Sequence, residues 1–449
     1  MNPHAEFLTQ FFNELNSRNI VYCVTKNYEN LPEESTRDVD IWIKKEHFKK
    51  AREILLNVAK SLGWEFIKSA YRLNYYRSGE HYFIKKDGNL YNCLTIEIFP
   101  ILHWKGIKYM DEKVISKHIV PHSKGFYIPS PGIEAAALIF RGGMVGQIKE
   151  EHKPKILKCL SEDKETFIKV LKRPFGKKIA LKLYNLLLAG NFDYIEKNIH
   201  RLHLVILRRA ITYRLFSQLK DWLIYYSGRI KEHFFPSDGF FIVFIGPDGS
   251  GKTTIAKSLM ESEFIRRLFC MKEYIYRRFH IKWFKKITGT IKSKGIGQFD
   301  AQITPQGDII PLNKFKSVLY VLYLGFEFFL GHYYIRRKRA NSGLIIFDRY
   351  FYDYMTFKDF INCPRWLMFF LAKLIPKPDA IIYLKNEPEV IYSRKPERSI
   401  EEIRRQAQIC EEIVKRLPNT YVVENSAGIE GTINKIQDII IRKLRHCRE

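Results

Sequence analysis

Six apolar residues in a row, Phe240 to Ile245, run directly into Gly246-Pro247-Asp248-Gly249-Ser250-Gly251-Lys252-Thr253-Thr254, and a helix-like segment follows from Ile255. An uninterrupted apolar run suits a strand buried on both faces. GxxxxGK[ST] set between such a strand and a helix constrains the chain more than any other feature in it. The glycines let successive backbone N–H groups turn toward one phosphate, and the first helical turn adds its positive end. Lys252 is placed to neutralise phosphate oxygens, and the Thr253 hydroxyl to reach Mg2+. The expected fold class is α/β, a P-loop kinase domain with a parallel sheet. Apolar runs at 344–347, 380–384 and 421–423, each followed by helix-like sequence, supply its other strands.

Two later segments add chemistry to the loop. Leu344 to Phe347 ends in Asp348-Arg349-Tyr350. A carboxylate at the carboxyl end of a neighbouring strand can serve Mg2+, and Arg349 can clamp a phosphoryl acceptor. Downstream, Ser393-Arg394-Lys395-Pro396-Glu397-Arg398 gathers three cations. A lid built from them would screen the transferred charge and keep water out. No Asn-Lys-x-Asp guanine signature follows, which argues against a GTPase.

In this order the pieces resemble the thymidylate kinase family of P-loop nucleoside monophosphate kinases: GPDGSGKTT at 246–254, LIIFDRY at 344–350, PDAIIYL at 378–384, SRKPER at 393–398 and YVVEN at 421–425. The resemblance spans roughly 238–447 and implies an ATP- and Mg2+-dependent kinase. It implies that Asp248 lies beside the acceptor phosphate and that Gly246, Gly249, Ser250, Gly251, Lys252, Thr253 and Thr254 hold ATP. Asp348 and Arg349 would serve Mg2+ and the acceptor. Arg394 and Arg398, with Lys395 in the same lid, would stabilise the transition state, and Asn425 to Gly428 would lie by the adenine. Two positions depart from the family: Ile245 stands where a glutamate is usual, and Asp353 where a serine is usual. The sequence is similar to the divergent thymidylate-kinase-like branch often attached to other domains in bacterial polysaccharide gene clusters.

Residues 1–130 read as α+β, with helices at 4–17 and 45–62 and strands near 20–25, 41–43, 65–70, 72–77, 81–86 and 92–99. Asp38 and Asp40, two apart ahead of Ile41-Trp42-Ile43, fall on one face of a strand, and Glu97 offers a third carboxylate on a later one. Three carboxylates on adjacent strands can bind two Mg2+ and guide in-line attack on an α-phosphate. Over roughly 18–110 this resembles nucleotidyltransferases of the polymerase-β type, with Asp38 and Asp40 as the DxD pair and Glu97 where an aspartate is usual. Lys26-Asn27-Tyr28 stands where that family has a Gly-Ser element. Residues 131–235 read as helices at 132–140, 164–172, 177–189 and 199–227, and are expected to form a helical connecting domain before the P-loop domain at 236–449.

The chain of 449 residues carries 75 Lys+Arg against 48 Asp+Glu, a formal charge of +27, yet 46% of it is hydrophobic. That apolar share excludes a disordered polycation. Residues 1–130 hold +4 of the charge, 131–235 hold +10 and 236–449 hold +13. No recognised nucleic-acid motif accompanies the basic stretches at 277–286 and 331–339, so nucleic acid is not an expected partner, while peripheral contact with a membrane through basic surface is compatible with them. Ser317 to Ile335 is apolar enough to raise a spanning helix, but Glu327 and His332 inside it make a core helix the expectation. Seven scattered cysteines without a CxxC pair fit a reducing compartment, and residues 1–20 show no secretory signal. The expected location is cytoplasmic, or peripheral at the inner face of the membrane. Three functions fit: a kinase for a nucleoside monophosphate (dTMP being the family default) or a related small-molecule phosphoryl acceptor; a bifunctional kinase and nucleotidyltransferase acting on a sugar or polyol; and a membrane- or RNA-associated regulatory ATPase. An oligomer is compatible with each.

Overall fold

The computed structural model describes residues 2–34, 38–71, 79–88, 90–142, 146–234, 239–279, 311–340, 342–425 and 428–446. The strand expected at 72–77 and most of the basic stretch 277–286 lie outside them. The chain falls into two compact units, 1–232 and 233–449.

In the first unit, β1 (Tyr22–Val24), β2 (Val39–Ile43), β3 (Glu65–Tyr71), β4 (Gly79–Asp87) and β5 (Leu90–Phe99) form one sheet in the order β1-β2-β5-β4-β3. β2 and β5 run parallel and the other pairs antiparallel. The alternation along β2 decides what covers each face. Val39, Ile41 and Ile43 pack with Phe7, Phe11 and Leu55 of helices Pro3–Ser17 and Phe48–Ser61. Trp42 points the other way, into a core shared with Phe99, Ile133, Ile139, Phe167 and Leu183.

Those last four side chains come from or face the helices Pro131–Gly142, Lys164–Phe175 and Lys177–Leu188. The segment expected as a connecting domain therefore shares a hydrophobic core with the N-terminal sheet. The large apolar side chains on the Trp42 face of that sheet require a cover. Two small hairpins, β6 (His103–Trp104) with β7 (Ile107–Lys108) and β8 (Ile119–Pro121) with β9 (Tyr127–Pro129), lie along the chain between sheet and helices.

The second unit is a five-stranded sheet of β10 (Phe240–Ile245), β11 (Met271–Tyr276), β12 (Gly343–Asp348), β13 (Ala380–Lys385) and β14 (Thr420–Glu424), in the order β11-β12-β10-β13-β14, all parallel. All six residues of β10 are buried, as a central strand covered on both faces requires. The four strands expected from apolar runs are present. β11 was not expected: it is an edge strand whose residues are mostly solvent-facing, so no apolar run marks it. Between β11 and β12 lies the helix Lys314–Arg339, whose Leu324 and Phe328 enter the core beside Phe347 and Tyr350.

The shared core makes a prediction about fragments. Residues 1–232 should unfold cooperatively in urea, followed by circular dichroism. Residues 1–130 should not, because Trp42, Phe99 and Tyr109 lose their cover. Cooperative unfolding of 1–130 alone would contradict the packing described.

Candidate functional site

β10 delivers the chain into a loop that only glycine-rich sequence can follow. Gly246, Gly249 and Gly251 have φ of 153°, 89° and 91°. At Gly249 a Cβ would come 3.0 Å from Ile391 Cγ2, and at Gly251 3.0 Å from Asn425 Nδ2. The positive φ disfavours a side chain at both positions, and the tight approach of Ile391 and Asn425 adds to the strain. The helix Lys252–Glu261 starts immediately, so its first N–H groups face the loop. Lys252 is buried, and its ammonium donates to the carbonyls of Gly246 (2.6 Å) and Pro247 (2.9 Å).

The register of the sheet brings Asp348 to this loop. β10 pairs with β12 so that Phe244 sits opposite Asp348. Thr253 Oγ1 donates to Asp348 Oδ2 at 2.6 Å, and Tyr274 on β11 donates to the same oxygen at 2.7 Å. The other oxygen, Oδ1, is buried with no hydrogen-bond partner among the described residues. Burial and the Asp348 carboxylate push the Tyr274 hydroxyl's pKa up, so it stays a donor. The Thr253 hydroxyl and the Asp348 carboxylate, one of whose oxygens is unsatisfied, are hard oxygen donors that fit Mg2+.

Arg349 follows with a left-handed φ of 64°, an uncommon conformation for a non-glycine residue. Its Nη2 lies 2.7 Å from Asp248 Oδ1, and Arg398 Nε lies 3.9 Å from Asp248 Oδ2. Arg394 ends the helix Pro388–Arg394, and both it and Lys395 are exposed, Lys395 pairing with Glu397 at 3.1 Å. Lys395 nonetheless borders the loop: a Cβ on Gly249 would lie 3.4 Å from its Cβ. So the loop residues, Asp348, Arg349 and Arg398 converge, while Arg394 and Lys395 point to solvent at its edge.

Asn386, Gln406 and Thr432, which help hold the loop, carry no signal in the sequence, and Asn425 takes a role other than the one expected of it. Asn386 and Asn425 both donate to the Ser250 carbonyl, at 3.0 and 3.2 Å, and Thr432 donates to Asn425 Oδ1 at 2.9 Å. Asn425 thus braces the loop and Gly428 opens the helix Gly428–His446; residues 426–427, expected near the adenine with them, lie outside the described residues. Gln406 accepts from the Asp248 N–H at 3.0 Å. Isolated Asn and Gln residues on separate elements leave no spacing pattern to find. Asp353, in the one-turn helix Phe351–Met355, is fully buried, and neither carboxylate oxygen has a hydrogen-bond partner among the described residues. Burial pushes its pKa up to about 7, with Lys252 and Arg349 pulling the other way.

In the first unit, Asp38, Asp40 and Glu97 do come together, with one oxygen from each within 4.8 Å of the others. Asp40 sits opposite Glu97 across the parallel β2–β5 pair. The Lys26 ammonium pairs with Asp38 at 3.2 Å and also with Asp40, while Arg141 reaches within 4.0 Å of Asp40. Neither oxygen of buried Asp40 receives an aligned hydrogen bond among the described residues. Burial lowers the Lys26 pKa, and Asp38 opposes that shift. Arg141 comes from the helix that covers this face of the sheet, a contact no local spacing reveals.

A scan against protein-family models finds no match, and a search of curated proteins finds none either. Among solved structures, similar chains include a thymidylate kinase from Ehrlichia chaffeensis, at 16% identity over 45% of this chain and 98% of that one, with a TM-score of 0.30. They also include a thymidylate kinase from Candida albicans, at 19% identity over 46% and 94%, with a TM-score of 0.32. At that level of likeness the reading of the site rests on its own geometry.

Asp353 generates a pH prediction. A carboxyl whose pKa is raised on folding binds its proton more tightly in the native state, so stability falls as pH rises from the unfolded pKa toward the folded one. Between pH 5.5 and 8 this amounts to about 2 kcal/mol for a folded pKa near 7. Asp353→Asn should remove that component from urea unfolding of the C-terminal unit. Equal pH slopes in both proteins would show that the carboxyl does not titrate there.

Proposed function

We propose that the C-terminal unit is a phosphotransferase that binds ATP with Mg2+ and passes the γ-phosphoryl to a small-molecule acceptor, a nucleoside monophosphate such as dTMP or a related compound. One observation carries this reading: a buried lysine sits inside a glycine loop whose next residue, Thr253, is hydrogen-bonded to a carboxylate on the neighbouring strand.

The roles follow from the positions. The N–H groups from Gly249 to Thr254 line the loop and would receive the β-phosphate. Lys252 would exchange two neutral carbonyl acceptors for charged phosphate oxygens, a stronger charge-assisted contact. Thr253 and Asp348 would hold Mg2+, which when bound neutralises phosphate charge, and Tyr274 fixes the Asp348 carboxylate from the side. Arg349 would orient the acceptor beside Asp248. Arg398 with Arg394 and Lys395 would move over the transferred group and exclude water.

Purified protein with ATP, Mg2+ and a panel of nucleotide and sugar acceptors should yield a phosphorylated product detectable by mass spectrometry. Lys252→Ala should lower the rate by at least about a hundredfold, the scale expected when a preorganised charge on the transition state is lost. Undiminished transfer by that variant would refute the assignment.

A second reading adds nucleotidyl transfer in the first unit, making the chain bifunctional toward a sugar or polyol. Its support is the convergence of Asp38, Asp40 and Glu97. Lys26 now balances the two aspartates, so a divalent cation would have to displace its ammonium. Pyrophosphate release from a nucleoside triphosphate should disappear in Asp38→Asn/Asp40→Asn; absence of any release by the unaltered protein counts against this reading.

A further inference from the structure

We propose that the first unit carries an anion site of its own, a recess between the helices Lys164–Phe175 and Ile199–Phe234 that takes the phosphate group of a small phosphorylated molecule. Lys169 and Arg173 approach it from the first helix, Arg209 and Arg214 from the second. Arg173 and Arg214 line both of two adjoining cavities, of about 480 and 200 Å3. Val114 and Val170 give the larger one an apolar wall, and Tyr213 contributes to the smaller. None of the residues around the carboxylate trio of Asp38, Asp40 and Glu97 lines either cavity, so the recess is a separate place in the fold.

The backbone explains how the cations come together. Neither proline nor glycine occurs between Ile199 and Ser227, yet the helix is interrupted at Arg214, where φ is −149° and ψ 31°. A bend without either residue has a tertiary cause. Before the bend, Leu202, Ile206 and Ala210 enter the core of the unit. Beyond it, Gln218 donates to the Gly106 carbonyl at 3.0 Å, and Asp221 pairs with Lys108 at 3.2 Å, both in the β6–β7 hairpin. The interruption lets one segment meet both anchors and leaves Arg214 at the bend, beside Arg173.

The charges there are under-compensated. Arg173 pairs with Asp111 at 2.8 Å. Lys169 lies 3.3 Å from His118 Nε2, and Arg209 donates to the Arg173 carbonyl at 3.3 Å. Among the described residues no carboxylate pairs with Lys169, Arg209 or Arg214. Burial and then the charge of Arg214 lower the Arg173 pKa, while Asp111 opposes them. Holding a half-buried guanidinium near a second one is unfavourable, and an anion between them would offset that cost. Guanidinium forks match phosphate oxygens in geometry as well as charge. The larger cavity has the volume of a small-molecule site, and a recess suits one such molecule better than a bilayer or a strand of nucleic acid. All four cations belong to residues 131–235, so part of the +10 carried there acquires a local task.

The test is calorimetric titration of the full chain carrying Lys252→Ala, which weakens the competing glycine loop, in buffer free of divalent cations. Ribose 5-phosphate and inorganic pyrophosphate are the probes, with ribose as the uncharged control. Both phosphates should bind at one site per chain, and ribose should not. Adding Lys169→Ser/Arg214→Ser should weaken phosphate binding by at least about tenfold. Lys177→Ser/Lys178→Ser removes the same charge from positions that do not line the recess and should leave binding unchanged. All four substituted side chains are exposed, so neither pair should lower the urea midpoint. No binding of either phosphate, binding that survives Lys169→Ser/Arg214→Ser, or equal weakening by both pairs would overturn the proposal. Binding of single-stranded RNA or of phosphatidic acid vesicles by a chain that ignores both small phosphates would reject it in favour of a polyanionic surface.

Discussion

The hydrogen bond from Thr253 to Asp348 depends on the register between two buried strands, and much of the second unit exists to keep that register. β10 and β12 pair so that Phe244 faces Asp348. A slip of one residue would turn Asp348 to the other face of the sheet, away from the loop. Both strands are buried along their whole length, so a slip would repack side chains of different size and shape against the layers on both faces. The glycine loop then depends on supports from three further elements. Asn386 follows β13, Asn425 follows β14, and Gln406 lies on the helix Ile400–Arg416; each bonds one backbone group of the loop. The loop's amides are thereby oriented before any anion arrives, which lowers the cost of binding one.

The first unit shows the same logic with a different result. Alternation along β2 puts Asp40 on the face that carries Trp42, and that face is covered by helices. A carboxylate placed there loses its water and must be compensated. Lys26 and Arg141 supply that compensation. The same burial that makes the three carboxylates converge also fixes a counter-ion among them.

The parallel α/β unit was legible in the sequence because continuous apolar runs and a glycine loop are local signals. The loop residues, Asp348, Arg349 and the carboxylate trio were found for the same reason: each stands at a strand end or in a short motif. β11, and with it Tyr274, was missed because an edge strand carries little apolar pattern. Asn386 and Gln406 were missed because they act singly from elements remote in sequence. The helical segment 131–235 was legible as helices but not as part of the first unit, since which surface a helix covers is a tertiary fact. The helix Lys314–Arg339 was expected in the core, and one side of it does enter the core with Leu324 and Phe328, while side chains such as Phe315 and Leu319 are exposed.

The proposed phosphoryl transfer requires Thr253 and Asp348 to form, with bound ATP, one Mg2+ site at the loop. The most direct measurement is the Mg2+ dependence of ATP affinity, by calorimetry, in the unaltered protein and in Asp348→Asn. Mg2+ should tighten ATP binding by about tenfold or more in the former and by much less in the latter. Equal Mg2+ dependence in the two proteins, or no ATP binding at all, would contradict it.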